Sequence, residues 1–287
     1  MTTSPQTPST PDPDDRAAVR PVSRRNVLRA AGGLGLAGAT ALALRGGTAH
    51  GSQIPDAAVT RSSSAEVAAA LRSGGVCTLV READQGPFYL PGELVRRDIR
   101  EGRPGVLLRL RLHVMDADTC EPLPAAAVDI WHCDAVGTYS GVAKRAEGEE
   151  TDDSSTFLRG IQVTGDDGWC SFTTIVPGWY PGRTTHIHTT VHVDGKVKNR
   201  HYTGGHVCHT GQVFFPERLM KLIEKIDPYT DDSAERVHNK DDRIYTDQAG
   251  GRMALLDMRA LVKGEPEEGY VGTIVLAVDP SAHHIDD

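Results

Sequence analysis

The chain has 287 residues, of which 39% are hydrophobic and 24% charged, and its formal net charge is −8. That is enough apolar material for one large domain or two small ones. The acidic balance excludes a nucleic-acid binder, which needs a basic face or stripe, and the one long apolar run is too interrupted by glycines for stable membrane insertion.

Residues 1–22 are rich in Thr, Ser, Pro and Asp, a composition that buries too little apolar surface to fold. The segment Ser23-Arg24-Arg25-Asn26-Val27-Leu28-Arg29 then precedes a small-residue apolar stretch from Ala30 to Leu44. A charged region followed by a short apolar one is an export signal, and the paired arginines resemble a twin-arginine signal. Residues 1–50 are therefore read as a leader and signal peptide, with no clear cleavage site in the sequence, and the protein is expected to be secreted or extracytoplasmic. Twin-arginine export carries folded proteins, so a cofactor can be loaded before export.

Residues 51–80 read as a linker with a short helix, in which Ser64 is the N-cap. Residues 81–280 carry the catalytic domain, followed by a tail at 281–287. In the stretch Val106 to Met115 apolar and charged residues alternate from Leu108 to Val114, as in a half-buried strand. Further strands are predicted at Ala126 to Trp131, Trp169 to Val176, His186 to Val193, Gly211 to Phe215 and Tyr270 to Val278. Gly165-Asp166-Asp167-Gly168 marks a turn. A helix runs from Pro216 to Lys225, with proline tolerated at its first turn, and the polar stretch from Asp227 to Gly251 reads as loop. Short strands, turn punctuation and one or two short helices predict an all-β fold, a β-sandwich core with long loops.

Five cysteines, Cys77, Cys120, Cys133, Cys170 and Cys208, lack paired zinc-site spacing. In an oxidising compartment one or two disulfides form, with a thiol left over; spacing does not choose the pairing.

The chemistry lies in two stretches, one ending at Tyr139 and the other running from Tyr180 to His188. His186 and His188 lie two apart in a predicted strand and face the same side. His192 shares that parity, but at about 3.3 Å of rise per residue it lies too far along to share one ion with both. Two phenolates and two imidazoles suit Fe(III), which favours anionic oxygen donors, better than zinc. If Tyr139, Tyr180, His186 and His188 converge, they form a mononuclear ferric site. Taken singly, a His-x-His pair or a strand-end tyrosine is a packing feature. Gly137, Gly178 and Gly182 allow tight turns beside this site.

Five blocks occur in order: Glu82-Ala-Asp-Gln-Gly-Pro-Phe-Tyr89, Trp131 to Gly141, Gly178-Trp-Tyr-Pro-Gly-Arg183, His186-Ile-His188 and Gly211-Gln-Val-Phe-Phe215. With these the chain resembles an intradiol ring-cleavage dioxygenase across residues 80–280. The resemblance implies a β-sandwich, Fe(III) bound by Tyr139, Tyr180, His186 and His188 with a hydroxide, and cleavage of a catechol by O2 between its hydroxyl-bearing carbons to a cis,cis-muconate-type diacid. It also implies that the small aromatic diol displaces Tyr180, whose phenolate takes up a catechol proton, while Tyr139 and both histidines stay bound. Arg183 matches the family's active-site arginine, stabilising negative charge on the ring, and Gln212 a glutamine near the substrate. Trp131 and Trp179 read as packing residues.

The chain departs from intracellular members in the short stretch between Tyr180 and His186 and in lacking their helical dimerisation segment. Its signal and cysteines resemble an exported branch, so substrate identity and oligomeric state do not carry over. Two rival readings remain: an exported non-enzymatic β-sandwich binding carbohydrate or a protein, and a copper or zinc enzyme using His186, His188 and His192 or the set His201, His206 and His209.

Overall fold

The computed structural model describes residues 81–91, 94–142 and 154–283. The expected leader, twin-arginine signal, linker and Ser64 helix, together with Cys77, lie outside the described residues.

The strands are β1 (Leu107–Asp116), β2 (Ala127–Trp131), β3 (Arg159–Val163), β4 (Trp169–Ile175), β5 (His186–Val193), β6 (Lys196–Lys198), β7 (His201–Thr203), β8 (His206–Phe214), β9 (Asp257–Ala260) and β10 (Tyr270–Val278). They form two four-stranded sheets, ordered β4-β1-β10-β9 and β3-β2-β5-β8, plus the small hairpin β6-β7. This is the expected all-β sandwich. The sequence reading missed β6, β7 and β9, which are too short to show alternation, and β3, which opens on Arg159-Gly160, and it started β8 at Gly211 rather than His206.

Alternation builds the core. In β1, Leu108, Leu110 and Leu112 are fully buried while Arg109 and Arg111 on the opposite face are half-exposed. The leucines join Val128 and Ile130 of β2, Ile187 and Val191 of β5 and Val213 of β8 in one apolar cluster. Each such side chain contributes about 1.5–3 kcal/mol of burial. The same parity sends Trp131, His186, His188 and Gln212 to the outer face of the second sheet, where they are nonetheless buried. The functional chemistry therefore lies not between the sheets but outside one of them, roofed by loops.

One roof is the stretch from Asp227 to Gly251, which is more ordered than its polar composition suggested. It coils through short helical turns at Tyr229–Asp231, Asn239–Asp241 and Ile244–Gln248. The single described α-helix, α1 (Glu217–Ile223), packs Leu219, Met220 and Ile223 inward. Its Glu217 accepts the Asn239 N–H at 2.7 Å and pairs with Arg236 at 3.0 Å, tying helix to loop. No helix among the described residues is long and apolar enough to cross a membrane.

Cys120 is disulfide-bonded, and Cys133, Cys170 and Cys208 are free and buried. Among the described residues one cysteine is bridged and three are free, within the expected one or two disulfides. Burial pushes the thiols of Cys133 and Cys170 far up and that of Cys208 up to about 12, so all three are inert neutral groups.

Candidate active site

Two loops bring the tyrosines together. The first turns at Asp134, whose side chain accepts the N–H groups of Val136 and Thr138 at 3.1 and 2.9 Å. Gly137 has φ +80°, and a Cβ there would stand 2.2 Å from the Trp179 carbonyl oxygen. Across the contact, a Cβ on Gly178 would stand 2.3 Å from the Ala135 carbonyl oxygen. The loops thus meet backbone to backbone, and glycine at both points permits it. Gly182 has φ +86° but faces open space.

Tyr139 and Tyr180 stand with ring centroids 5.9 Å apart. The Tyr180 hydroxyl lies 3.2 Å from His186 Nε2, which lies 3.1 Å from His188 Nε2. His186 Nδ1–H donates to the Thr184 carbonyl at 2.6 Å, which leaves Nε2 without a proton and aims its lone pair at the phenol and the neighbouring imidazole. The ring of His188 stacks on Trp131 at 4.9 Å, and register places it between Trp131 on β2 and Gln212 on β8. The four sequence-predicted ligands are thus brought together. His192 is not among them; it sits beside Tyr202.

Burial sets the protonation states. It raises Tyr139 well above the ordinary phenol range and pushes Tyr180 up to about 12, against the lowering effect of the Arg183 charge. Burial, reinforced by that charge, drives His186 down to about 3, and burial with the neighbouring His186 drives His188 well below its usual value. Both imidazoles are therefore neutral donors.

Phe88 stacks on Tyr139 at 4.5 Å and meets Tyr180 edge-on at 6.0 Å, so the 82–89 segment roofs both phenols. The backbone of Asp84 anchors this roof: its N–H donates to Gln248 Oε1 at 2.9 Å and its carbonyl accepts from Gln212 Nε2 at 2.7 Å. Gln212 Oε1 accepts from Arg183 Nη2 at 2.6 Å, and Arg183 Nε donates to Asp242 Oδ2 at 2.8 Å. Arg183 and Gln212 are thus bonded partners beside the four candidate ligands. Asp242 went unnoticed in the sequence because nothing separates it from the other acids of a polar loop. Arg159 was missed as well: an arginine reads as surface, yet it is 1% exposed and donates from Nε and Nη2 to the Ser140 carbonyl, next to Tyr139. Trp179 packs as expected, its Nε1–H donating to the Ala234 carbonyl at 2.7 Å.

A dioxygenase family model (Dioxygenase_C) matches residues 86–235. The crystal structure of an intradiol ring-cleavage dioxygenase from Tetranychus urticae is 32% identical, covers 72% of this chain and 98% of its own, and superposes with a TM-score of 0.64. The chain belongs to the intradiol ring-cleavage dioxygenase family. Among more distant structures, that of catechol 1,2-dioxygenase from Acinetobacter sp. ADP1 inhibited by bound mercury is 21% identical, covers 78% of this chain and 72% of its own, with a TM-score of 0.50, a likeness of fold. No curated protein searched matches the chain.

Intradiol dioxygenases use non-haem Fe(III), and the residues present fit it. The Tyr139 hydroxyl is buried with no hydrogen-bond partner among the described residues, a state that costs about 1–3 kcal/mol when nothing else engages it. Beside it, two imidazole Nε2 atoms at 3.1 Å face one another, though His186 Nε2 offers a lone pair rather than a proton. A cation held there would engage all of these atoms at once. Among the described residues, no three His, Cys, Asp or Glu side chains gather as a metal site built from those types would require, so neither alternative histidine set forms one.

Proposed function

We propose that the protein is an intradiol dioxygenase in which Tyr139, Tyr180, His186 and His188 hold Fe(III) and a catechol-type diol is cleaved by O2 between its hydroxyl-bearing carbons, giving a cis,cis-muconate-type diacid. The observation that carries this reading is that His186 Nε2 lies 3.2 Å from Tyr180 Oη and 3.1 Å from His188 Nε2, beside the Tyr139 hydroxyl, in a member of this family. Bound Fe(III) supplies a Lewis acid and a template for both substrate oxygens.

The chain's own residues divide the remaining work. Thr184 fixes the His186 tautomer through its carbonyl, and Trp131 holds the His188 ring in plane. Tyr139 is 5% exposed and covered by Phe88, so it stays in place; Tyr180 is more accessible, and its Oη, ionised when it serves as an iron ligand, would be the base that accepts a catechol proton. Phe88 and the anchored roof exclude water from the reacting ring. Arg183 presents a fixed positive charge to an electron-rich ring, and Gln212 sets its direction. Export by the twin-arginine route follows from the Arg24-Arg25 signal and favours a diol met outside the cytoplasm.

Tyr139→Phe and Tyr180→Phe test this assignment. Each should weaken iron retention and shift or bleach the tyrosinate-to-iron absorption of the purified protein, with loss of oxygen uptake across a catechol panel. Unchanged colour and activity in both variants would remove the proposed ligands.

A further inference from the structure

We propose that Asp242 is a positioning residue for turnover: it holds the Arg183 guanidinium toward the candidate metal site without touching substrate. The inference rests on the dioxygenase reading above and adds a residue from a loop with no part in the ligand set.

Asp242 is 1% exposed, and both its oxygens are committed. Oδ2 accepts Arg183 Nε–H and the Thr184 N–H, each at 2.8 Å, and Oδ1 accepts the Tyr245 N–H at 3.0 Å. One carboxylate thus grips two consecutive residues, Arg183 and Thr184, on the approach to His186. The opposite edge of the same guanidinium is held by Gln212, whose amide is in turn locked by the Asp84 carbonyl. A long side chain that would otherwise sample many rotamers is therefore fixed at two points, and the charge-assisted bond to Asp242 is the stronger kind.

The loop that presents Asp242 is itself anchored. Asn239 accepts the Thr184 hydroxyl at 2.7 Å, donates to the Phe215 carbonyl at 2.9 Å, and has its N–H held by Glu217. The guanidinium is bonded to Gln212, which stands opposite His188 in the strand register, so its position bears on the site. Among the described residues Asp242 is the carboxylate that pairs with Arg183, at 2.8 Å, so together with Gln212 it sets where the guanidinium sits.

A double-mutant cycle in the iron-loaded enzyme tests the proposal. Asp242→Asn keeps an acceptor but removes the charge. We expect kcat to fall roughly 10- to 100-fold with KM within about threefold, and iron content and colour unchanged. In an Arg183→Ala background the same change should cost less than about twofold, because its route to the chemistry is gone. A second readout is independent of activity: in iron-free protein the Arg183 Nε–H, followed by ¹⁵N NMR, should exchange with solvent at least about tenfold faster in Asp242→Asn. Wild-type kcat, an equal slowing in both backgrounds, or unchanged Nε–H exchange would each overturn the proposal. Should Asp242→Asn fail to fold, Asp242→Glu serves: it keeps the charge but displaces the oxygens, and wild-type kcat in it would overturn the proposal equally. If the wild type cleaves no catechol, the dioxygenase reading fails, while the exchange measurement still decides whether Asp242 holds Arg183.

Discussion

Replacing Gly137 by alanine tests whether backbone contact between two loops places the tyrosines. The new Cβ would stand 2.2 Å from the Trp179 carbonyl oxygen, whereas carbon and oxygen in close contact sit about 3.3–3.6 Å apart. The loops must therefore part by roughly an ångström, and Trp179 cannot yield easily because its indole is bonded to Ala234. Left-handed backbone adds about 1–2 kcal/mol for a residue with a Cβ, and overpacking about 1–3 kcal/mol more. Gly182 provides the control: its φ is +86°, but nothing lies within 4 Å of a Cβ there. Gly182→Ala should thus cost the backbone term alone. At about 2–4 °C per kcal/mol for a domain of this size, Gly137→Ala should melt on the order of 5–15 °C below wild type and Gly182→Ala only a few degrees below. Thermal melts followed by circular dichroism give the stabilities, and iron titration gives the site. Gly137→Ala should also lose iron affinity, because Tyr139 and Tyr180 lie on the separated loops. If both variants melt alike and bind iron alike, the loop contact does not place the ligands.

Arg183→Ala should retain iron and colour but slow turnover by about 10²- to 10³-fold, checked by oxygen uptake; full activity would remove the proposed role of the guanidinium. Asp242 also makes a pH prediction. Burial would raise its pKa, but the bonds from Thr184, Tyr245 and Arg183 outweigh it and hold the folded value below the ordinary 3.8. Its contribution to stability is therefore fully present above that value and is lost as pH falls through the lower folded one. Asp242→Asn should make the loss of stability below about pH 4 shallower, as measured by urea unfolding across pH. For export, Arg24→Lys with Arg25→Lys should trap the protein inside the cell, as fractionation would show; normal secretion would refute the twin-arginine reading.

The shared face of His186 and His188 was legible because it depends on local pattern, while the roles given to the two tyrosines came with the family resemblance. Period-two alternation put His186 and His188 on one face, and rise per residue removed His192. The long strands β1, β5 and β10 were legible for the same reason. Pairing was not: nothing in the alternation of β1 says that it lies parallel to β10 rather than beside its sequence neighbour β2. Likewise, a periodic strand shows which residues share a face but not which face is the core, so the site's position outside the second sheet emerged only from packing. Asp242 and Arg159 stayed hidden for a different reason. Their importance comes from partners far along the chain, Asp242 bonding Arg183 and Arg159 bonding Ser140, and a charged side chain looks the same in sequence whether solvated or buried.

The placement of β10 has a consequence for how the protein is made. The last described strand lies inside its sheet, flanked by β1 and β9, and runs parallel to β1. During synthesis β1 emerges early and must wait, with one row of amide and carbonyl groups uncovered, until some 150 further residues have followed. The sheet therefore closes only once β10 has been made, and a product truncated before it would carry an open edge suited to joining another chain. Until Tyr270 to Val278 arrives, β1 therefore has its partner β4 on one side only.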